Sequence, residues 1–289
     1  MNTQSIYFEI NCEEYIDLKK IFEGGQIFSW DKYKEGYKGL IDDNPFVISW
    51  NNSSICVETS LDEHLALNLI SNLFDLKTSV TNVEYFLNGY NDSYMNKAIK
   101  VNNGLRILNQ DPWTCIATFI CSSVANFNKI SLNVKNLSEN FGNKIKFQET
   151  HFYTFPKPQV IAQTSIDLLN ECGLGFRSKY LLAVATKITQ NEINLDNLKR
   201  IPYIQSRNIL ENLYGIGSKI ADCVLLYSLN KSEAFPIDRW VQRALFEAYN
   251  IDQTTKYSLM SDWARKKWGK YAGYAQQYLF QYQKEFAKQ

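Results

Sequence analysis

A lysine and an aspartate stand nineteen residues apart in the stretch NLYGIGSKIADCVLLYSLNKSEAFPIDRW, each near the start of a helical segment. Lys219 falls in the first turn of an apolar helix that follows Gly215 and Gly217. Asp238 follows a proline and is a favourable N-cap for the next helix. A lysine amine partly removed from water can attack carbon, and a nearby carboxylate can stabilise cationic charge developing on a sugar. Covalent amine catalysis is therefore one chemistry that the pair could perform.

Each of these residues also has an ordinary structural interpretation. Helical spacing places Asp222 one turn from Lys219, so the lysine could be a surface residue in an ion pair, and Cys223 lies on the same face. Asp238 could serve only as a helix cap. The two residues taken alone favour the structural interpretation.

The glycine turn predicts a helix-hairpin-helix element at about residues 205–230. Gly215 and Gly217 permit backbone conformations closed to other residues and leave the amides of the next helix uncovered. Those amides and the helix dipole can bind an anion such as a DNA phosphate. Glycines also end many helices, so the turn alone is a weak signal.

The charge distribution favours a polyanion-binding C-terminal region. Net charge is −7 over residues 1–104, +2 over 105–198 and +6 over 199–289, within a total of +1. The six cysteines contain no C-x-x-C pair and there are two histidines, so neither a zinc site nor a disulfide framework is indicated. No apolar run has the length of a membrane span, and MNTQSIYFEINCEEY lacks the regions of a signal peptide.

The pattern of secondary structure predicts an α+β protein. An N-terminal antiparallel β-sheet domain with flanking helices is expected over residues 1–104, and an all-α domain over 105–289. The predicted strands are IYFEI, QIFSWDKY, GYKGLI, PFVISW and SSICVET. From LDEHLALNLISNLF the helical period takes over and is expected to continue to the end of the chain. Asp111 and Pro112 read as an N-cap and a first helical residue.

Five sequence blocks in the same order resemble the helix-hairpin-helix, Gly/Pro-Asp superfamily of DNA glycosylases, and within it the 8-oxoguanine DNA glycosylases that carry a sheet domain in front. The blocks are GGQIFSW, NQDPWTCIATFICSS, GLGFRSKY, the hairpin with PID, and WGKYAGYAQQYLF. They extend over nearly the whole chain, which makes the resemblance far more specific than any single motif.

The resemblance implies a bifunctional DNA N-glycosylase and abasic-site lyase of base excision repair. Lys219 would attack C1′ of the damaged nucleoside, displace the base and form a Schiff base, from which β-elimination nicks the strand. Asp238 would support the transition state. The base must first leave the helix, which costs roughly a few kcal/mol.

The resemblance also assigns the contacts to base and backbone. Gly25 would offer its carbonyl to the N7 hydrogen that 8-oxoguanine has and guanine lacks. Cys223 and Phe280 would sandwich the flipped base, and Gln276 would bind its Watson–Crick edge. DNA contacts would come from Asn126, Lys129, Phe176, Arg177, Gly215, Gly217, Trp240 and Arg243, with Phe176 as the wedge.

The implied cofactor requirement is small. No cofactor and no iron–sulfur cluster are expected, and the carbonyls of Glu211, Leu213 and Ile216 match positions that hold a structural K⁺ or Na⁺ at the hairpin. The expected partner is double-stranded DNA containing 8-oxoguanine, with the protein a monomer that binds no membrane. We expect a cytoplasmic, nucleoid-associated location in a prokaryote and a nuclear one in a eukaryote.

Four positions depart from the eukaryotic members of the family. Those members have a run of asparagines that engages the orphaned cytosine. Val124 and Ala125 replace residues of that run, and Asn126 keeps the asparagine. Lys129 replaces an arginine that reads the opposite base. The ammonium group of lysine cannot make the bidentate hydrogen bonds of a guanidinium. Trp240 replaces a histidine. These departures predict 8-oxoguanine removal with a relaxed preference for cytosine opposite the lesion.

Other functions remain open on the sequence. A non-catalytic helix-hairpin-helix DNA-binding protein would have no need of both Lys219 and Asp238. Branches with an iron–sulfur cluster are disfavoured because no cysteine follows Cys223. Alkyl-purine glycosylases usually lack the lysine, but a glycosylase for another damaged base stays an alternative.

Overall fold

An antiparallel sheet forms the N-terminal part of the computed structural model, which describes residues 5–89 and 91–286. Its five strands lie in the order β1-β5-β4-β3-β2. Their bounds are β1 Ile6–Asn11, β2 Asp31–Tyr33, β3 Gly36–Ile41, β4 Asn44–Asn51 and β5 Ser54–Thr59. Ile48 pairs with Val57 in the β4–β5 register, and both are fully buried in the core beneath the sheet.

The second predicted strand is wrong over most of its length. Only Asp31–Tyr33 of QIFSWDKY is extended in the sheet. The buried Gln26 side chain instead donates to the carbonyl of Arg106 at 2.8 Å and accepts from the amide of Leu108 at 2.8 Å. Because a tertiary partner takes the place of a strand neighbour, this segment leaves the sheet and packs toward the helices.

Helices dominate the remainder of the chain. Their bounds are α1 Leu18–Phe22, α2 Glu63–Leu73, α3 Val80–Asn88, α4 Ser93–Val101, α5 Pro112–Cys121, α6 Phe127–Phe141, α7 Pro158–Ala162, α8 Ile166–Glu171, α9 Arg177–Thr189, α10 Leu195–Arg200, α11 Tyr203–Glu211, α12 Ser218–Ser228, α13 Arg239–Tyr249, α14 Tyr257–Trp268 and α15 Ala272–Phe286. A 3₁₀ turn, Gly269–Tyr271, leads into α15. Asp111 caps α5 by accepting from the amide of Thr114, with Pro112 at the first helical position, as predicted.

The helical region is interrupted by a hairpin that the periodicity did not predict. Strands β6, Lys144–Phe147, and β7, Thr150–Tyr153, pair antiparallel. Phe147 and Phe152 pack against Val47 of the first sheet, so the hairpin is stabilised by a tertiary contact. The helical period expected over residues 157–172 is likewise divided between two helices, α7 and α8, because Ser165 caps a new start.

Apolar packing divides the described residues into two main cores. One lies under the five-stranded sheet and includes Phe46, Ile70 and Phe74. The other fills the helical region and takes in α3 and α4 through residues such as Val83 and Ala98. Packing thus joins these two helices to the helical core, whereas a division at residue 104 assigns them to the sheet domain.

No helix in the described part of the chain combines the length and apolar character needed to cross a bilayer. All six cysteines are free thiols, and five of them are buried.

Candidate active site

Lys219 is half-buried at the start of α12, where α5 ends beside it. Its Nζ atom donates to the hydroxyl of Ser122 at 3.3 Å and lies 5.1 Å from the ring centroid of Phe119. The hydroxyl of Ser122 itself donates to the carbonyl of Phe119 at 2.6 Å. These contacts hold the amine at the junction of two helices, in the partly dry setting that a nucleophilic lysine requires.

Asp222 is not the partner of Lys219. Its carboxylate is fully buried and accepts from the hydroxyls of Tyr203 and Tyr257, each at 2.7 Å, one on either oxygen. The guanidinium of Arg207 lies 3.7 Å away. The ion pair that helical spacing allows is therefore replaced by a tyrosine and arginine site that ties α11, α12 and α14 together.

Asp238 caps α13 and also acts on Lys219 electrostatically. One carboxylate oxygen accepts from the amides of Trp240 at 3.0 Å and Val241 at 2.9 Å, which leaves the second oxygen outside the cap. Removal from water raises the pKa of Asp238, although the cap amides and the Lys219 charge oppose the rise. A carboxylate so placed can stabilise positive charge between the two helices.

Cys223 lies one turn beyond Lys219 and is 2% exposed. Burial raises the pKa of the Cys223 thiol to about 12, against the lowering effect of the Lys219 charge. A thiol that keeps its proton is a poor nucleophile, so Cys223 offers a small apolar wall rather than a second reactive group.

The loop that carries Gly24 and Gly25, the first glycine loop, meets α15 at the predicted base site. Gly25 has φ +81°, and a Cβ there would lie 3.4 Å from the ring of Phe280. Gln276 is buried with its side-chain oxygen 3.4 Å from the Tyr227 hydroxyl, and Cys223 is one turn before Tyr227 on α12. The fold therefore brings the predicted base-binding residues to the facing sides of α12, α15 and this loop.

The two hairpin glycines differ in what they require. Gly215 has φ +88°, and a Cβ there would fall 2.2 Å from the ring of Tyr180, so the turn needs glycine twice over. Gly217 has φ −92° and open space around it, which corrects the expectation that it needs a special backbone conformation. As the N-cap of α12 it offers no side-chain cap, so the first amides of the helix stay open to an anion.

Arg177 fixes the turn between α5 and α6. The guanidinium is buried and donates to the carbonyls of Ser123 at 2.7 Å, Val124 at 3.1 Å and Leu174 at 3.0 Å. Val124 is 92% exposed with φ +51°, a strained conformation for a β-branched residue. Arg177 thus has an immediate structural role, and its contact with DNA stays a prediction.

The other residues predicted to contact DNA lie around this centre. Phe176 is 48% exposed, stacked on its neighbour Arg177 at 4.5 Å. Asn126 is exposed and caps α6 by accepting from the amide of Lys129. The Lys129 ammonium packs close to Gly173, where a Cβ would fall 2.7 Å from it. Beyond Asp238, the Arg243 guanidinium covers the Trp240 ring at 5.3 Å.

The hairpin turn offers a cation only backbone carbonyl oxygens as ligands. The Leu213 carbonyl accepts from the amide of Ile216 at 3.0 Å and retains its second lone pair. Both side chains are buried, which turns the hairpin backbone toward the outside. The Glu211 side chain is held by Arg207 at 3.1 Å, so it is the backbone of Glu211 that remains for a cation. Hard, neutral oxygens of this kind suit Na⁺ or K⁺.

Sequence reasoning missed several residues that build the site. Ser122 and Phe119 contact the Lys219 amine, and Tyr227 and Gln277 link α12 to α15 at 2.7 Å. One signal was present in the spacing, because 219, 223 and 227 recur every fourth residue on one face of α12.

Comparisons with known proteins agree with this geometry. Residues 9–116 match the sequence model of the 8-oxoguanine DNA glycosylase N-terminal domain, and residues 118–270 match that of the HhH-GPD superfamily of base excision DNA repair proteins. The N-glycosylase/DNA lyase of Saccharomyces cerevisiae is 32% identical over 61% of this chain and 56% of that protein. N-glycosylase/DNA lyase OGG1 of Arabidopsis thaliana is 26% identical over 92% of this chain and 76% of that protein.

A solved structure extends the likeness to the whole fold. The Clostridium acetobutylicum 8-oxoguanine glycosylase/lyase, in complex with double-stranded DNA containing cytosine opposite 8-oxoguanine, superposes with a TM-score of 0.90. It is 28% identical and covers 99% of this chain and all of that one. With both halves matched in order around a hairpin lysine and a capping aspartate, this chain belongs to the HhH-GPD superfamily of base excision DNA repair proteins, in the form that begins with the 8-oxoguanine glycosylase N-terminal domain.

Proposed function

We propose that this protein excises 8-oxoguanine from duplex DNA and then nicks the strand at the resulting site. The observation that carries the proposal is the junction of α5, α12 and α13. There the Lys219 amine donates to Ser122, and its charge lowers the pKa of Asp238 against the effect of burial. Relatives named N-glycosylase/DNA lyase, and a solved relative bound to 8-oxoguanine-containing DNA, support the same activity.

In the proposed mechanism Lys219 attacks C1′ as a neutral amine. The Nζ–C1′ bond forms as the bond from C1′ to the base nitrogen breaks, and the base leaves with that electron pair. Asp238, removed from water and ionised, stabilises the cationic sugar during this exchange. Nζ then gives up one proton, which neutralises the departed base. The C1′–O4′ bond breaks as Nζ forms a double bond to C1′, O4′ takes up a proton from solvent, and the product is a protonated Schiff base. Removal of a C2′ proton expels the 3′ phosphate and nicks the strand.

Base selection is assigned to Gly25 and the surfaces beside it. An N7–H of 8-oxoguanine would donate to the Gly25 carbonyl, whereas the N7 lone pair of guanine would meet that oxygen with no proton between them. Phe280 lies against Gly25 and would pack on one face of the base. Gln276 is buried nearby and would take its Watson–Crick edge.

The proposed contacts with DNA are mostly to phosphate. The uncapped start of α12 would bind one phosphate through its amides, with K⁺ or Na⁺ held by the carbonyls of Glu211, Leu213 and Ile216. Exposed Phe176 and Val124 flank the region that a flipped base would vacate. Because the asparagines of eukaryotic relatives are absent at 124 and 125, we propose a relaxed preference for the opposite base.

The test uses duplexes that carry one 8-oxoguanine opposite C, A, G or T, with borohydride added to reduce any Schiff base. Wild-type protein is expected to release the base and form a covalent adduct. Lys219→Gln is expected to lose both, by more than about 10³-fold, while it still binds the damaged duplex. Persistent turnover in this variant would show that another residue is the nucleophile. No release with any partner in the wild type would exclude 8-oxoguanine as the substrate.

A further inference from the structure

A buried relay of side chains connects the helix that carries Lys219 to the loop that carries Gly25. Tyr227 of α12 is 3% exposed, and its hydroxyl donates to the side-chain oxygen of Gln277 at 2.7 Å. The amide nitrogen of Gln277 in turn donates to the carbonyl of Gly24 at 3.2 Å. Three residues thus bridge α12, α15 and the first glycine loop.

The direction of this relay is fixed by chemistry. Burial raises the pKa of Tyr227 well above its ordinary value, so the hydroxyl keeps its proton, and a protonated phenol can donate or accept. The carbonyl of Gly24 can only accept, so it takes the Gln277 NH₂ group and leaves the Gln277 oxygen to accept from Tyr227. A carboxamide that accepts on its oxygen must present its NH₂ group on the other side. The Tyr227 hydroxyl therefore holds the Gln277 carboxamide in the orientation that presents its NH₂ group to Gly24.

Gly24 is held closely enough for the relay to matter. Its carbonyl also accepts from the side-chain amide of Gln281 at 3.1 Å, so two donors from α15 hold one oxygen. A Cβ at Gly24 would fall 2.0 Å from the carbonyl oxygen of Lys20, so the loop packs closely against α1. The Gly24 carbonyl lies in the peptide plane that leads into Gly25, so this anchor fixes the start of the segment that carries the Gly25 carbonyl, and the φ and ψ of Gly25 complete its position.

We propose that Tyr227 is a positioning residue for base selection, which acts through the Gln277 carboxamide on Gly24 and so on the carbonyl of Gly25. The inference rests on the proposed function, because it assigns Gly25 the reading of the lesion. Gln277 and Gln281 form the anchoring stripe of α15, and Gln276 and Phe280 form the adjacent stripe beside the base. Tyr227 touches both stripes, at 2.7 Å to Gln277 and 3.4 Å to Gln276.

The relay serves recognition of the base and leaves the nucleophile alone. The Tyr227 ring stacks on Phe119 with centroids 5.5 Å apart and planes 13° from parallel. Phe119 in turn lies under the Lys219 ammonium. Tyr227→Phe removes only the hydroxyl, so it keeps this stacking and the support of Lys219 while it frees the Gln277 amide to turn.

The experiment compares two reactions of each variant in single turnovers. Excision of 8-oxoguanine requires the Gly25 carbonyl, whereas cleavage of a preformed abasic site requires Lys219 but has no base to read. Tyr227→Phe is expected to lower the excision rate about 10-fold, the value of one buried hydrogen bond, and to leave abasic-site cleavage unchanged. Gln277→Met removes the middle of the relay and is expected to do the same.

A matched control is Tyr278→Phe. Tyr278 is also buried, lies on α15 and donates to Glu84 at 2.8 Å, outside the relay. This variant is expected to lose similar stability in thermal unfolding and to keep both rates. In the double variant Tyr227→Phe/Gln277→Met the excision rate is expected to equal that of Gln277→Met alone, because one pathway cannot be broken twice.

Three results would overturn the relay, and the first two are an unchanged excision rate in Tyr227→Phe and an equal fall in excision and abasic-site cleavage. Additive losses in the double variant would also overturn it, because they would show independent roles. If wild-type protein cleaves abasic sites but does not release 8-oxoguanine, the proposed function itself fails. The relay then has no base-reading carbonyl to position. That outcome is distinct from the others because it appears without any substitution.

Discussion

The Nζ atom of Lys219 lies 3.3 Å from the hydroxyl oxygen of Ser122, a residue that ends α5 ninety-seven positions earlier in the chain. The same hydroxyl donates to the Phe119 carbonyl, and the Phe119 ring lies under the ammonium. The amine is therefore aimed by one helix and carried by another. Small shifts between α5 and α12 would move it relative to C1′.

Ser122→Ala should weaken catalysis without preventing it. Loss of one hydrogen bond that orients the amine is expected to lower the rate of borohydride-trapped adduct about 3- to 10-fold, with duplex affinity unchanged. The matched control is Ser123→Ala, because Ser123 contributes its carbonyl to Arg177 and keeps that carbonyl in the variant. Equal rates for Ser122→Ala and wild type would show that Ser122 does not aim the nucleophile.

Asp238→Asn should separate the cap from the catalytic charge. Asparagine caps helices about as well as aspartate, so the thermal midpoint is expected to stay close to that of the wild type. The excision rate is expected to fall about 10²- to 10³-fold, since the carboxylate no longer stabilises the cationic sugar. Asp111→Asn, at the cap of α5, is the control and should keep full activity. A large loss of stability in Asp238→Asn with little loss of rate would reverse the assignment.

The pH dependence of excision follows from the same residue. Burial raises the pKa of Asp238, so its carboxylate takes up a proton at a higher pH than a free aspartate, for which the value is about 3.9. Because the proposed mechanism requires the ionised form, the excision rate should fall as pH is lowered toward this raised value, in a range where free aspartate is still charged. Asp238→Asn should lack that acidic limb. An identical limb in the variant would assign it to another group.

The two hairpin glycines should respond differently to alanine. Gly215→Ala combines a positive φ with a collision against Tyr180, and we expect a loss of about 2–3 kcal/mol in the free energy of unfolding. Gly217→Ala meets open space at an ordinary φ, so its unfolding free energy should stay within about 0.5 kcal/mol of wild type. Its affinity for duplex DNA should nevertheless fall several-fold, because the added methyl group would stand in the open space through which a phosphate is proposed to approach the first amides of α12. Unfolding by chemical denaturant and DNA titration measure the two effects.

Val124→Asn should stabilise the protein and alter its choice of opposite base. Valine at φ +51° is strained, whereas asparagine tolerates this region, so a gain of about 1 kcal/mol is expected. The added amide should also raise the ratio of excision opposite cytosine to excision opposite adenine. Val160→Asn, at another exposed valine with a helical backbone, is the control and should not stabilise. An unchanged cytosine preference would mean that residue 124 does not meet the opposite base.

Local chemistry let the sequence determine much of this protein by itself. Neighbouring residues determine the caps at Asp111 and Asp238, the glycine turn, and the order of sheet and helices. They also determine the family blocks, and each of these features is where it was expected. The α+β class is likewise confirmed. The assigned roles of the site residues remain predictions.

Only the tertiary structure decided which groups meet. Helical spacing allows an ion pair between Asp222 and Lys219, yet Asp222 instead binds two tyrosines and an arginine from other helices. The same holds for the strand that Gln26 leaves, and for the relay from Tyr227 to Gly24. A buried polar group must find a partner, and its partner comes from whichever distant segment the core brings within reach. Periodicity along the chain carries no record of that choice.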